Sequence, residues 1–175
     1  MTNFDKAMTI LAHNEGGFAN NQHDNGGATK FGISAASYPG VDIASLTFED
    51  AKEIYKQDFW KPLSPNDYSF PVAIMLFDTA VHSGHTRAVR IAQEASGAVG
   101  DGIIGPKTKA ALKGVNSVEF CIAYTYLRLD FLQGLTDWRH FGRGWQARLY
   151  DTLTYAIIHA SEEEQHEWQN NIKKG

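Results

Sequence analysis

Apolar residues recur at helical spacing near the start of the chain. Phe4, Met8 and Leu11 fall on one face of a helix, which predicts an amphipathic helix over residues 3–14. The glycines at positions 16 and 17 favour the end of a helix. Glu15 is therefore expected at the C-terminal end of this first helix.

The pattern changes after the glycine pair, because residues 18–34 are polar and rich in glycine. Asn25-Gly26 is a strong turn signal, and a short β-like stretch follows it. The sequence therefore predicts a small hairpin or irregular loop lobe near residues 17–34.

Helical patterns dominate the rest of the chain. Thr47 with Asp50 three residues later is typical of a helix start, and this helix is expected to run to about Phe59, before Pro62 stops it. Further helices are predicted over residues 71–84, 86–96, 117–134 and 144–160, with another that begins at Pro106. The first of these is apolar nearly all round, which favours a central buried helix. The polar tail after Glu162 is expected to fray.

Composition narrows the functional classes. The 175 residues are 43% hydrophobic and carry a net charge of −4, which indicates one compact domain and argues against nucleic acid as a partner. The single cysteine, Cys121, cannot form an internal disulfide and suits synthesis in a reducing cytosol. The N-terminus does not have the pattern of a signal peptide. No uncharged apolar run of about 18 residues is present, so stable membrane insertion is not expected.

Glu15, Asp24 and Thr29 form the most informative set of polar residues. Hydrolysis of a glycosidic bond needs an acid that protonates the leaving oxygen, and a second group that attacks the sugar or activates water. Glu15 and Asp24 are candidates for that pair, and the Thr29 hydroxyl is a candidate to hold the water. Ordinary turn chemistry accounts for the same residues, so their spacing alone leaves both interpretations open.

The run EGGFANNQHDNGGATKFGIS, which starts at Glu15, resembles the opening motif of the glycoside hydrolase family 108 lysozymes. That motif is a glutamate, two glycines, an aromatic residue, then Asp-x-Gly-Gly-x-Thr and a glycine-isoleucine pair. The resemblance places the proton donor on Glu15 and the motif's aspartate and threonine on Asp24 and Thr29. Phe18 stands where tyrosine is more usual, and Asn25 where the family often has proline.

The order Glu, Asp, Thr also resembles the catalytic trio of phage-type lysozymes, with an Asp-to-Thr interval one residue shorter. The second half, with FDTAVHSG, DGIIGPKTKAAL and FGRGW, is similar to the peptidoglycan-binding region fused to family 108 enzymes. The resemblance runs from about Met8 to Tyr150.

The resemblance implies a mainly α, lysozyme-like α+β fold: a helical lobe and a small β or loop lobe, with the substrate cleft between them. It implies a single domain over residues 1–175, with a catalytic part at about 3–70 and a helical peptidoglycan-binding part at about 71–160. The expected enzyme is an endolysin-type muramidase that cuts between N-acetylmuramic acid and N-acetylglucosamine without a cofactor. We expect a monomer made in the host cytoplasm, which reaches peptidoglycan in the periplasm through a holin-type pore.

Several other residues are candidates for substrate binding. Aromatic residues can stack on sugar rings or pack in the core, and those considered are Tyr55, Trp60, Trp138, Phe141 and Trp145. Tyr55 and Trp60 are retained as substrate-binding predictions. Asp78 interrupts an apolar helix, so its carboxylate must be paired. It is expected to tie that helix to a neighbour or to the site, and it is kept as a third substrate-binding candidate.

Charged and metal-binding patterns give weaker signals. The later helices are locally basic, which indicates either a patch that attracts anionic wall polymers or an ordinary solvated face; the residues are Arg128, Arg139, Arg143 and Arg148. His82 and His85 are three residues apart, as in some metal sites, but Gly84 between them weakens this interpretation. No metal site is expected.

Three alternative functions remain at this point. A lytic transglycosylase would use the same Glu15 but would leave an anhydro sugar. A non-catalytic wall-binding module is favoured by DGIIGPKT and disfavoured by the Glu15, Asp24 and Thr29 set. A chitinase-type or plant-wall hydrolase is the third. Among hydrolytic mechanisms we expect inversion, with Asp24 as base or water-orienting group and Thr29 assisting.

Overall fold

The structure is a computed structural model that describes residues 1–15 and 29–173. The chain divides into two compact units, Met1–Pro62 and Leu63–Gly175. The described residues are mostly helical with one small antiparallel sheet, which confirms the predicted mainly α class. None of the described helices has both the length and the apolar character needed to cross a membrane.

The first unit opens with helix α1, Asn3–Asn14, which confirms the predicted helix. A capping box starts it: the Thr2 side chain accepts from the Asp5 backbone N–H, and the Asp5 carboxylate accepts from Thr2. One face of the helix is buried, including Ala7 and Leu11, which have no exposed surface. That buried face fixes the helix in the unit.

A short hairpin follows, formed by β1, Thr29–Lys30, and β2, Ile33–Ser34. Thr29 pairs with Ser34 in antiparallel register. The two turn residues, Phe31 and Gly32, both have positive φ, as a tight two-residue hairpin turn requires. This confirms a small hairpin, whereas the predicted Asn25-Gly26 turn lies outside the described residues.

Helix α2, Phe48–Tyr55, starts with the predicted cap, because the Thr47 hydroxyl accepts from Asp50 and the Asp50 carboxylate accepts from Thr47. The chain stays helical to about the predicted end near Phe59, but the α-helix itself ends at Tyr55. The chain continues as a π-helical turn, Lys56–Trp60, and a 3-10 turn, Lys61–Leu63. Pro62 has no backbone N–H and cannot donate a helical hydrogen bond. Around it, a wide π-helical turn and a narrow 3-10 turn replace the regular α-helix.

The second unit is built around helix α3, Phe70–Ser83, in which every residue from Pro71 to Ala80 is buried. It contacts α4, α6 and α7. The other helices are α4, His85–Ala95; α5, Pro106–Gly114; α6, Ser117–Gln133; α7, Trp138–Ile158; and α8, Glu162–Ile172. The predicted central buried helix and the helix start at Pro106 are both confirmed.

Two expectations for the second unit are wrong. Helix α7 begins at Trp138, six residues before the predicted start at 144, because its glycines do not interrupt the helix. The tail after Glu162 forms α8 rather than fraying. The Glu164 carboxylate accepts from the Ser161 backbone at the start of α8 and, at 2.9 Å, from the Ser117 backbone N–H at the start of α6.

Candidate active site

Glu15 lies at the C-terminal cap of α1, as predicted. Its backbone N–H donates to the Leu11 carbonyl oxygen at 3.0 Å, so the residue continues the hydrogen bonding of the helix. Its side chain is exposed. A carboxyl group that is exposed at the end of a fixed helix can contact a bond in a ligand that approaches from solvent. Asp24 lies outside the described residues.

Thr29 is the first residue of β1 and is half-buried. The hairpin that carries it is held at two points. The Lys30 ammonium donates to the Ala44 carbonyl oxygen at 3.1 Å, and the Tyr55 hydroxyl donates to the Phe31 carbonyl oxygen at 3.2 Å. The backbone around Thr29 is therefore fixed by neighbouring segments of the first unit.

The predicted role of Tyr55 in sugar stacking is wrong. Its side chain is 3% exposed, so the ring offers no face to a ligand. The ring end lies against Gly32, where a Cβ atom would collide with the Tyr55 hydroxyl oxygen. Gly32 also has a φ of +76°, which favours glycine. Tyr55 therefore holds the hairpin turn in place through its hydroxyl group.

Trp60 is likewise buried, at 6% exposed, which contradicts its predicted place on a sugar-binding surface. Its ring packs at 5.8 Å from the ring of Phe4 on α1. Lys52 of α2 also lies 3.5 Å from the Asp5 carboxylate. The segment from α2 through the π-helical turn thus supports both the helix that ends at Glu15 and the hairpin that carries Thr29.

Asp78 is buried in the second unit and joins three helices. Its carboxylate accepts from Arg128 of α6 at 2.6 Å and from the Arg148 Nε of α7 at 3.0 and 3.2 Å. Burial raises the pKa of Asp78, but the two guanidinium groups outweigh it and hold the pKa well below its usual range. The expected tie to a neighbouring helix is present. A direct contact with substrate does not fit a side chain that is 1% exposed.

Arg128 and Arg148 are the residues that the sequence interpretation missed. Both were grouped with a basic surface, whereas their side chains are 0% and 10% exposed. Asp78 provided a signal for them, since a carboxylate within a buried helix requires a cationic partner. Arg128 occupies the buried face of α6 together with Tyr124 and Leu132.

His82 lies one turn after Asp78 on α3, and its ring meets that of Trp145 edge-on at 5.7 Å. Burial, together with the positive charges of Arg148 and Arg128, lowers the pKa of His82 to about 4. His82 is therefore neutral at pH 7. In the described part of the chain, no group of three or more His, Cys, Asp or Glu side chains is arranged to hold a metal ion.

This depressed pKa predicts a loss of stability in mild acid. The unfolded chain takes up the His82 proton near pH 6.5, whereas the folded chain does so only near pH 4. The contribution of His82 is therefore complete above pH 6.5 and is lost as the pH falls towards 4. Between pH 7 and 5 we expect it to cost about 1 kcal/mol, after allowance for partial solvent screening.

Urea unfolding at pH 7 and pH 5 measures this loss. The His82→Gln variant should lose less stability than wild type over this interval, and His140→Gln, at an exposed histidine of α7, should keep the wild-type difference. An equal pH dependence in all three proteins would contradict the assignment to His82.

Comparison with known proteins agrees with this architecture. No curated protein sequence matches the chain significantly. The family model described as Glycosyl hydrolase 108 matches residues 8–84, a range that contains Glu15, Asp24 and Thr29. A solved structure titled "Structure of Brucella abortus SagA" is 32% identical, with a TM-score of 0.79 over 91% of this chain and 96% of that chain.

The similarity to this structure is thus close in sequence and extends over nearly the full length of both chains. It supports a lysozyme-like α+β fold for the chain. The family match covers α1 from Met8 onwards, the hairpin, α2 and α3, which include the elements that carry Glu15 and Thr29. The chain belongs to glycosyl hydrolase family 108 and is a glycoside hydrolase.

Proposed function

We propose that the protein is a muramidase that hydrolyses the β-1,4 bond between N-acetylmuramic acid and N-acetylglucosamine in bacterial peptidoglycan. The observation that carries this proposal is the position of Glu15. Glu15 lies within the residues that the family model matches. It is exposed at the end of α1, and one face of that helix is buried. Glu15 is the general acid that protonates the leaving oxygen.

The same displacement requires a water molecule that attacks the sugar from the face opposite the leaving oxygen. We assign its activation to Asp24, as base or orienting group, and to the Thr29 hydroxyl as a second anchor. The hydrogen bond from the Tyr55 hydroxyl to the Phe31 carbonyl oxygen supports this role, since it fixes the backbone two residues after Thr29. A nucleophilic carboxylate would attack the sugar directly and would not need such an anchor.

This assignment predicts inversion. The β-linked substrate should first give an α-anomer at the new reducing end, because water attacks from the face opposite the leaving group. Proton NMR early in the reaction, before mutarotation, measures the ratio of the two anomers. An initial excess of the β-anomer would show retention and would make Asp24 a nucleophile.

Mass spectrometry of muropeptides released from purified peptidoglycan tests the activity itself. Hydrolysis by a muramidase leaves N-acetylmuramic acid at the new reducing end. An anhydro sugar would show a lytic transglycosylase, and the absence of release would favour a non-catalytic wall-binding module. Cleavage of chitin in preference to peptidoglycan would favour a chitinase-type enzyme.

The proposal extends to an endolysin that acts as a monomer after a holin-type pore has opened the membrane. Purified protein should then clear permeabilised Gram-negative cells and leave intact cells turbid. Light scattering after size exclusion would report the monomer. Clearing of intact cells at the same rate would remove the need for a pore.

A further inference from the structure

Both ends of helix α2 contact the same residue of the hairpin turn, Phe31. Phe48, the first residue of the helix, meets the Phe31 ring edge-on with the ring centroids 5.7 Å apart. Tyr55, the last residue, donates from its hydroxyl to the Phe31 carbonyl oxygen at 3.2 Å. The side chain and the backbone of Phe31 are therefore both held by one helix.

The backbone of Phe31 has an unfavourable conformation. Its φ of +54° lies in the left-handed region, which a bulky residue rarely adopts because its Cβ atom crowds the neighbouring carbonyl oxygen. Such conformations persist only where surrounding contacts determine them, and they cluster at functional sites. The contacts with α2 supply this constraint for Phe31.

Helix α2 is itself fixed within the first unit. Ala51 and Tyr55 on its inner face are only 1% and 3% exposed. The Lys52 ammonium lies 3.5 Å from the Asp5 carboxylate of α1, and the Tyr55 ring lies 5.8 Å from the ring of Phe59. A hydroxyl on such a buried ring cannot follow the turn if the turn moves. The hydrogen bond therefore fixes the position of the turn.

The Tyr55 hydroxyl also fits closely against the second turn residue. A Cβ atom at Gly32 would collide with the hydroxyl oxygen, whereas the ring carbon Cζ would be 3.7 Å away, an ordinary contact distance. The hydroxyl alone therefore excludes a larger residue from this side of the turn. A substitution at one of these two positions should change the effect of a substitution at the other.

Thr29 lies two residues before Phe31 and pairs with Ser34 across the turn. Strand β1 has only two residues, so little regular structure separates Thr29 from the turn. In a short hairpin the geometry of the turn sets the register of the strands. A misplaced group at a reacting water lowers the rate of the chemical step more than it lowers substrate affinity.

We propose that Tyr55 is a positioning residue for the hydrolysis. It acts through the Phe31 backbone and holds the Thr29 hydroxyl at the place where the attacking water is needed. Tyr55 makes no contact with substrate in this role, because its side chain is buried. This inference rests on the proposed function and adds to it a residue that determines kcat without contributing to substrate affinity.

Steady-state kinetics on soluble, uncrosslinked peptidoglycan strands tests this role. Tyr55→Phe keeps the buried ring and removes only the hydroxyl, so kcat should fall about five- to tenfold while KM stays within about twofold of wild type. Tyr38→Phe is the matched control, since the Tyr38 hydroxyl lies in the same unit but donates to the Asp58 carboxylate at 2.9 Å. Its kcat should equal that of wild type.

A Thr29→Val background distinguishes positioning from a general effect on folding. Valine keeps the branched shape of threonine but has no hydroxyl to hold water. In this background Tyr55→Phe should change kcat by less than about twofold, because the group through which it acts is already absent. An equal fold-loss of kcat in both backgrounds, or a raised KM with unchanged kcat, would overturn the positioning role.

Gly32→Ala tests the close fit of the hydroxyl against the turn. In the wild-type background it should lower the melting temperature through both the collision and the positive φ. In the Tyr55→Phe background the collision is absent, so the decrease should be smaller. Equal decreases in the two backgrounds would show that the hydroxyl does not constrain the turn and would contradict the proposal.

The outcomes separate this inference from the proposed function. If wild type releases muropeptides and Tyr55→Phe has the wild-type kcat, the positioning role is wrong and the muramidase stands. If Thr29→Val also has the wild-type kcat, the role of Thr29 in holding water is wrong, and the route proposed for Tyr55 fails with it. If wild type releases no muropeptides, both proposals fail.

Discussion

The Glu15→Gln protein is expected to hydrolyse peptidoglycan about two to four orders of magnitude more slowly than wild type, the usual contribution of general acid–base catalysis. Glutamine is nearly isosteric with glutamate but has no acidic proton for the leaving oxygen. The melting temperature should be unchanged or higher, because active-site carboxylates are often retained at some cost in stability. Release of soluble muropeptides over time gives the rate.

Glu49→Gln is the matched control for this variant. Glu49 is an exposed glutamate of the first unit that pairs at 3.4 Å with Lys52. Its loss should leave the rate within about twofold of wild type, since exposed ion pairs contribute little. Comparable activity of the two variants would remove Glu15 from the role of proton donor.

The Asp78→Asn protein is expected to lose about 3–5 kcal/mol of stability, because the change removes the negative charge that Asp78 supplies to the buried guanidinium groups of Arg128 and Arg148. For a chain of this size that corresponds to a fall of about 10 °C in Tm. Urea unfolding at pH 7 measures the free energy. The same reasoning predicts acid sensitivity: the stabilisation is complete above the ordinary aspartate pKa of 3.8 and is lost as the pH falls below it.

Asp67→Asn provides a control with the same chemical change. The Asp67 carboxylate lies 2.8 Å from the Lys109 ammonium, but both side chains are well exposed, at 45% and 38%. The expected loss is below about 1 kcal/mol. If both substitutions cost the same, the cluster of Asp78, Arg128 and Arg148 does not stabilise the second unit. A stable Asp78→Asn protein with a raised KM would instead support the substrate-binding prediction for this residue.

Local signals in the sequence were sufficient for the helices and their starts. The Thr47 and Asp50 pair and the proline at position 106 act through hydrogen bonds within one turn, so a short window contains all the relevant groups. The position of Glu15 followed in the same way, because the first helix and the glycines after it are contiguous. Family resemblance then gave this glutamate its chemical meaning.

Contacts between residues that are far apart in the sequence could not be predicted from such short windows. Trp60 lies in a polar stretch of sequence, yet its partner Phe4 is more than 50 residues away, so its burial has no local signal. The helix after Ser161 was missed for a different reason, because its local signal, the capping box between Ser161 and Glu164, was present but was given less weight than composition. Polar composition alone suggested fraying there.

The hydrogen bond from the Ser117 backbone to the Glu164 carboxylate also limits when the second unit can finish folding during synthesis. Helix α6 is exposed by the ribosome well before α8, since 45 residues separate the starts of the two helices, Ser117 and Glu162. Until α8 emerges, the first turn of α6 has no Glu164 carboxylate for its backbone donor. The second unit can therefore complete its hydrogen bonding only after Glu164 has left the ribosome, while the first unit, Met1–Pro62, can begin to fold on the nascent chain.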